Sequence, residues 1–148
     1  MIAQDISILL ADDDRDDCLL FKEALEELPI QTVLTTVHDG EQLMQILTKN
    51  TDKLFHILFL DLNMPRKNGF TCLKEIKDND LLKLLPVIIF STSYDEHIAD
   101  LLYKEGATHY ICKPAHFSEL KKVIQQVLTL VTENNSLQPS KKNLFLIS

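Results

Sequence analysis

The sequence predicts an α/β fold in which a strand followed by a helix recurs five times around a parallel sheet. Three observations carry this. Five apolar runs of strand length alternate with helix-length segments whose apolar residues fall three or four apart. Runs such as Ile57-Leu58-Phe59-Leu60 do not alternate with polar residues, as expected of parallel strands covered by helices on both faces. The acidic run Asp12-Asp13-Asp14, the segment Leu60-Asp61-Leu62-Asn63-Met64-Pro65 and the pair Lys113-Pro114 each follow such a run, so a parallel sheet would deliver all three to one edge.

In chain order, the first strand spans Ile6 to Ala11, and the helix after it presents the stripe Cys18, Phe21, Leu25 and Leu28. A second strand covers Thr32 to Val37, and Asp39-Gly40 marks a turn before the second helix. The third strand is Phe55 to Leu60 and the fourth Val87 to Phe90. Ser93-x-x-Glu96 has the form of a capping box opening the fourth helix. Gly106 stands where a helix carboxyl end favours a left-handed residue, before the fifth strand at Thr108 to Cys112. Phe117, Leu120, Ile124, Val127 and Val131 form the stripe of the last helix. One domain over residues 1–131 is expected, followed by a polar linker and a small apolar end, Leu144-Phe145-Leu146-Ile147, over residues 132–148. That apolar end is expected to dock on its own domain or on a second copy, giving a homodimer.

At 148 residues and 45% hydrophobic, the chain can bury a core of its own. A net charge of -7 argues against a nucleic-acid surface, which needs clustered Lys and Arg. Asp5 interrupts the first apolar stretch, so no signal peptide is read, and no stretch approaches a membrane span. Cys18, Cys72 and Cys112 lack close metal or redox spacing and are read as buried thiols of a cytoplasmic protein. His38, His56, His97, His109 and His116 show no ligand spacing and are read as surface or turn residues.

The chemistry follows from crowding. Asp12 and Asp13 end the first strand, Asp61 the third, Ser91 the fourth and Lys113 the fifth. Carboxylates about 4 Å apart repel by roughly 4 kcal/mol at an effective dielectric near 20, so a cation must sit among them. Magnesium suits such a site because it is usually held by one or two carboxylates, phosphate oxygens and waters. Asp13 and Asp61 are assigned as direct ligands, Asp12 through a coordinated water, and the Asn63 backbone carbonyl as a further oxygen. Lys113 is expected to pair with Asp61 and then with a phosphoryl oxygen. Asp61 is the expected nucleophile, and Ser91 would donate its hydroxyl to the attached phosphate.

These residues resemble the receiver domains of two-component response regulators. The resemblance covers Ile6 to Val131 through the acidic pair, D-x-N-M-P, the hydroxyl at Ser91 and the K-P pair. It implies the flavodoxin-like strand order 2-1-3-4-5, magnesium at Asp12, Asp13 and Asp61, and phosphorylation of Asp61 by a sensor histidine kinase. It also implies a cis peptide between Lys113 and Pro114, an isomer that proline brings to within about 0.5–1 kcal/mol of trans. A switch is implied in which Ser91 moves toward the phosphate and Tyr110 follows into the vacated space, remodelling the face from about Asp95 to Val131. Ala115 stands where many relatives carry an aromatic, and Ser91-Thr92 replaces a commoner threonine followed by a smaller residue. A single-domain regulator is expected, with a downstream protein target or a histidine phosphotransfer protein as partner. Receivers paired with phytochrome-like kinases are one group it looks like.

Two other functions compete. A magnesium-dependent aspartyl-phosphate phosphohydrolase of the haloacid dehalogenase type needs a second acid two residues after the nucleophile, where this chain has Asn63. A flavin-binding module needs a Ser, Thr and Gly-rich phosphate loop after the first strand, where three aspartates would repel the ligand. Taken alone, Asp14, Asp16 and Asp17 read as helix caps and surface charge. A calcium loop counted from Asp12 is disfavoured, because its sixth position is Asp17 where the sharp turn needs Gly.

Overall fold

The computed structural model describes residues 5–49, 55–133 and 146–147. Strands β1 (Ile6–Ala11), β2 (Thr32–Val37), β3 (Ile57–Leu60), β4 (Val87–Ser91) and β5 (His109–Cys112) alternate with helices α1 (Arg15–Glu26), α2 (Gly40–Lys49), α3 (Gly69–Asp78), α4 (Glu96–Lys104) and α5 (Phe117–Glu133). Their parallel order is 2-1-3-4-5, the flavodoxin-like arrangement, and a short sixth strand, β6 (Leu146–Ile147), extends the sheet beside β5.

Neighbouring residues along each strand serve opposite faces. Ile8, Leu10, Phe59, Phe90 and Ile111 meet α1 and α5 on one side. Leu9, Ala11, Leu58, Leu60 and Ile89 meet α2, α3 and α4 on the other. On the first face Phe21 packs edge-on against Phe59 and Phe90, with ring centroids 4.8 and 5.7 Å away. Two covered faces explain why the strand sequences carry no polar alternation.

Two expected strand boundaries shift because side chains take over ladder positions. The Ser7 amide donates to His56 Nδ1 at 2.8 Å instead of to a carbonyl, so β3 begins at Ile57 and not at Phe55. Likewise the Val87 amide donates to Thr108 Oγ1 at 3.3 Å, and β5 begins at His109. Helix α4 is capped by Asp95, whose Oδ1 accepts from the His97 and Ile98 amides at 2.8 and 3.1 Å. The expected Ser93 capping box does not form. The first helix ends at Glu26, leaving Leu28 to pack against the core from beyond it.

No peptide bond among the described residues is cis, so the link between Lys113 and Pro114 is trans, contrary to expectation. Trans is the intrinsically lower isomer even before proline. In it the Lys113 amide already continues the sheet, donating to the Ser91 carbonyl at 2.8 Å.

The expected docking of the apolar end takes place on the chain's own sheet. Tyr110 and Ile111 pair with Leu146 and Ile147, and Ile147 is buried on the α5 side. Helix α5 runs to Glu133, past the expected start of the linker at residue 132, and residues 134–145, including the rest of that linker, Leu144 and Phe145, lie outside the described residues.

Glycine is required where α3 approaches the end of β3. A Cβ at Gly69 would lie 2.2 Å from the Asp61 carbonyl oxygen, which is backbone and cannot swing aside. Gly69→Ala is therefore expected to destabilise by about 2 kcal/mol or more, the range for overpacking a tight contact. Urea denaturation would read this as a lower midpoint at unchanged slope, and an unchanged midpoint would refute the contact.

Candidate functional site

The sheet continues for one residue past three of its strands, and those residues build the site. The Asp12 amide donates to the Val37 carbonyl at 3.0 Å, Asp61 to Ala11 at 2.9 Å and Lys113 to Ser91 at 2.8 Å. Their side chains leave from backbone as fixed as the sheet itself. Carboxylate oxygens of Asp12, Asp13 and Asp61 consequently lie within 4.8 Å of one another. Asp12 and Asp61 are buried and Asp13 is exposed.

Three oxygen donors, two of them withdrawn from water, fit a hard divalent cation. Burial raises the Asp61 carboxyl to about 7, with Lys113 opposing and Asp12 adding to the rise. A carboxylate in this position is short of positive charge. The Asn63 amide points to Asp61 Oδ1 at 3.4 Å, a weak contact that leaves most of that shortage in place.

Lys113 is where the structure departs from expectation. Its ammonium lies 2.7 Å from Asp12 Oδ2 and 2.8 Å from Asp17 Oδ2, so its direct partners are Asp12 and Asp17 and not Asp61. Burial by itself would lower its pKa, but the Asp12 and Asp17 carboxylates beside it outweigh this and hold the ammonium above its ordinary value. Nζ also lies 5.4 Å from the centre of the Phe90 ring. Asp17 reads as surface charge in the sequence, yet it is part of the site. The available signal is its spacing, one helical turn beyond Asp13.

Arg15 and His38 also escape the sequence reading. The His38 ring spans the Asp12 carbonyl, 3.0 Å from Nδ1, and the Arg15 guanidinium, 3.3 Å from Nε2. Arginine only donates, so Nε2 accepts and the Nδ1 proton goes to the Asp12 carbonyl. Nothing in the sequence marks a histidine for this bridge. His109, expected as a surface or turn residue, is buried in β5.

Ser91 is buried at the end of β4, its Oγ 3.5 Å from the Ser93 amide. Tyr110 is already buried, its hydroxyl donating to the Ser93 carbonyl and its ring edge-on to Tyr94 at 5.5 Å. A buried phenol with a partner for its hydroxyl is stable where it is. Ala115 and Thr92 are exposed. The thiols are poor nucleophiles: burial pushes Cys18 up to about 12 and Cys72 up to about 11, and raises Cys112 as well.

Comparison with known proteins agrees with this geometry. The family model described as response regulator receiver domain matches residues 8–125. Response regulator Rcp1 of Synechocystis sp. is 31% identical over 134 residues, covering 88% of this chain and 91% of that protein. Among solved structures, a phosphorylated cyanobacterial phytochrome response regulator, RcpA, superposes with a TM-score of 0.81 at 29% identity, covering 92% of this chain and all of that one, 100%. The Mn(2+)-bound form of Rcp1 superposes with a TM-score of 0.77 at 30% identity, covering 90% of this chain and 99% of that one. No helix among the described residues is long and apolar enough to cross a membrane.

The raised Asp61 carboxyl sets a pH dependence. The folded protein holds this proton more tightly than the unfolded chain, so the associated stability is complete below about 3.8 and is lost as pH rises through about 7. In chelator-treated protein, Asp61→Asn should be the more stable form at pH 8 by on the order of 2 kcal/mol, and this advantage should shrink toward pH 4. Urea midpoints of both proteins across that range give the measurement. A pH-independent difference would contradict the assignment.

Proposed function

The chain belongs to the response regulator receiver domain family, and from this premise we propose that Asp61 accepts a phosphoryl group from a sensor histidine kinase in a magnesium-dependent transfer. The observation that carries this reading is the gathering of the Asp12, Asp13 and Asp61 carboxylates within 4.8 Å, with the Lys113 ammonium bound to one of them.

Asp13 and Asp61 would hold the metal directly, Asp12 through a water, and the Asn63 carbonyl would complete the protein's share. Magnesium when bound supplies the positive charge that lets an anionic carboxylate approach an anionic phosphoryl group. An Asp61 oxygen attacks phosphorus as the bond from phosphorus to the donor imidazole nitrogen breaks, leaving an acyl phosphate on Asp61 and a free histidine on the kinase. Lys113 neutralises a phosphoryl oxygen as charge shifts, and the Ser91 hydroxyl donates to the attached phosphate. Positioning and charge neutralisation are the main contributions open to the protein, because the transition state is loose.

Phosphorylation in this reading favours packings that keep Ser91 and Tyr110 inward, shifting a population and not creating a new fold. The readout face is α4, β5 and α5, where Tyr94, Ile98 and Leu101 are exposed for a downstream protein. A phytochrome-like kinase is the favoured donor class, by likeness to the phytochrome response regulator RcpA. A histidine phosphotransfer protein could exchange the group by the same chemistry. The receiver unit spans residues 1–131 in this reading, with residues 132–148 as an appended segment in a cytoplasmic protein. A homodimer built through that segment would have to compete with the pairing of β6 on its own β5. A phosphohydrolase is disfavoured, since Asn63 offers no carboxyl to protonate a leaving group.

Incubation with acetyl phosphate and magnesium should yield one phosphoryl adduct by intact mass, mapped to Asp61 and absent in Asp61→Asn. Asp13→Asn should raise the magnesium needed for half-maximal labelling by roughly tenfold or more, the scale for losing a charged ligand. Labelling that persists in Asp61→Asn, or that proceeds in excess chelator, would defeat the reading.

A further inference from the structure

Lys113 is held by two acids, and they are not equivalent. Asp12 is wholly buried and belongs to the carboxylate triad, with Oδ1 accepting the Asp14 amide and Oδ2 facing Lys113. Any cation gathered by the triad draws on Asp12, weakening its hold on the lysine. Asp17 lies outside the triad, at 29% side-chain exposure, and its 2.8 Å contact makes no demand on the metal ligands.

Its own placement is firm. Asp14 caps α1, and its Oδ1 accepts from the Asp16 and Asp17 amides at 3.0 and 3.1 Å, fixing the first turn from which the Asp17 carboxylate reaches Lys113. The Lys113 side chain is 9% exposed, so its charge has little water to fall back on if both acids let go.

Resting on the reading of Asp61 as phosphoacceptor, we propose that Asp17 is a positioning residue, keeping the Lys113 ammonium over the pocket when Asp12 is engaged by the metal. An ordinary surface ion pair would contribute little to stability and nothing to the transfer rate. The Asp17 pair acts on the rate through Lys113. Its loss leaves metal binding in place while the neutralising charge wanders.

The test is single-turnover labelling by acetyl phosphate at saturating magnesium. Asp17→Asn should slow labelling about tenfold, a scale expected when a charged group loses its fixed position, with half-saturating magnesium changed less than about twofold. In a Lys113→Met background the same substitution should have no further effect, which separates action through Lys113 from a structural role in α1. Wild-type labelling speed in Asp17→Asn would overturn the proposal, as would equal slowing in the Lys113→Met background. A magnesium requirement that rises in step with the slowing would overturn it too, by making Asp17 part of the metal site. Circular dichroism verifies folding, and if Asp17→Asn fails to fold, Asp17→Ser is held to the same outcomes. Absence of any adduct on wild-type Asp61 would instead fell the phosphoacceptor reading, a result distinct from all of these.

Discussion

The site depends on three backbone hydrogen bonds at the carboxyl edge of the sheet. Asp12 to Val37, Asp61 to Ala11 and Lys113 to Ser91 each prolong a parallel ladder by one residue. Parallel register sets where each strand stops, and these bonds carry its rigidity into the residue that follows. Residues from three distant stretches therefore face one pocket without a loop having to order itself first. The close approach of Gly69 to the Asp61 carbonyl serves the same end, seating the start of α3 against the backbone of the site.

With the backbone fixed, electrostatics governs what the pocket can hold. Asp12, Asp13, Asp17 and Asp61 crowd a region where Lys113 is a largely covered cation bound to two of them. Burial strengthens every interaction there, favourable or not. The strain falls on Asp61, which burial drives toward its protonated form. A site of this kind is built to recruit positive charge, and a divalent ion relieves the repulsion that folding imposes. The geometry stores no metal-specific shape beyond three oxygens in reach of one another. Specificity for a hard cation comes from the chemistry of the donors.

At the lateral edge of the sheet, β5 lies between β4 and β6. Tyr110 lies in β5 with its hydroxyl bonded to the Ser93 carbonyl, directly beyond Ser91 in the loop from β4. Strand β6 pairs with that same β5 and covers an edge that would otherwise present unpaired amides and carbonyls. The strand that carries Tyr110 thus has its outer edge occupied by the chain's own end. Burial of Ile147 among the residues packed by α5 ties this end to the α1 and α5 face of the core.

Much of this is legible in the sequence, because local patterns report burial directly. Apolar runs without alternation mark five strands and a doubly covered parallel sheet, and the bounds of β1 and β2 follow from them to the residue. Carboxylates and a lysine just past those runs mark the pocket, since a parallel sheet sends all its carboxyl ends one way. Contacts that join side chains far apart in the chain are not legible. His56 and Thr108 replace ladder partners, Asp17 takes a share of Lys113, and His38 bridges Asp12 to Arg15, through distances that no local pattern encodes. The trans link at Lys113 is likewise hidden, because only about 1 kcal/mol separates the isomers before proline, too little for a sequence pattern to report. By itself the sequence determined which groups would meet, through strand periodicity and order. Only the tertiary structure decided which of them pair, because pairing turns on ångström distances set by the packed core.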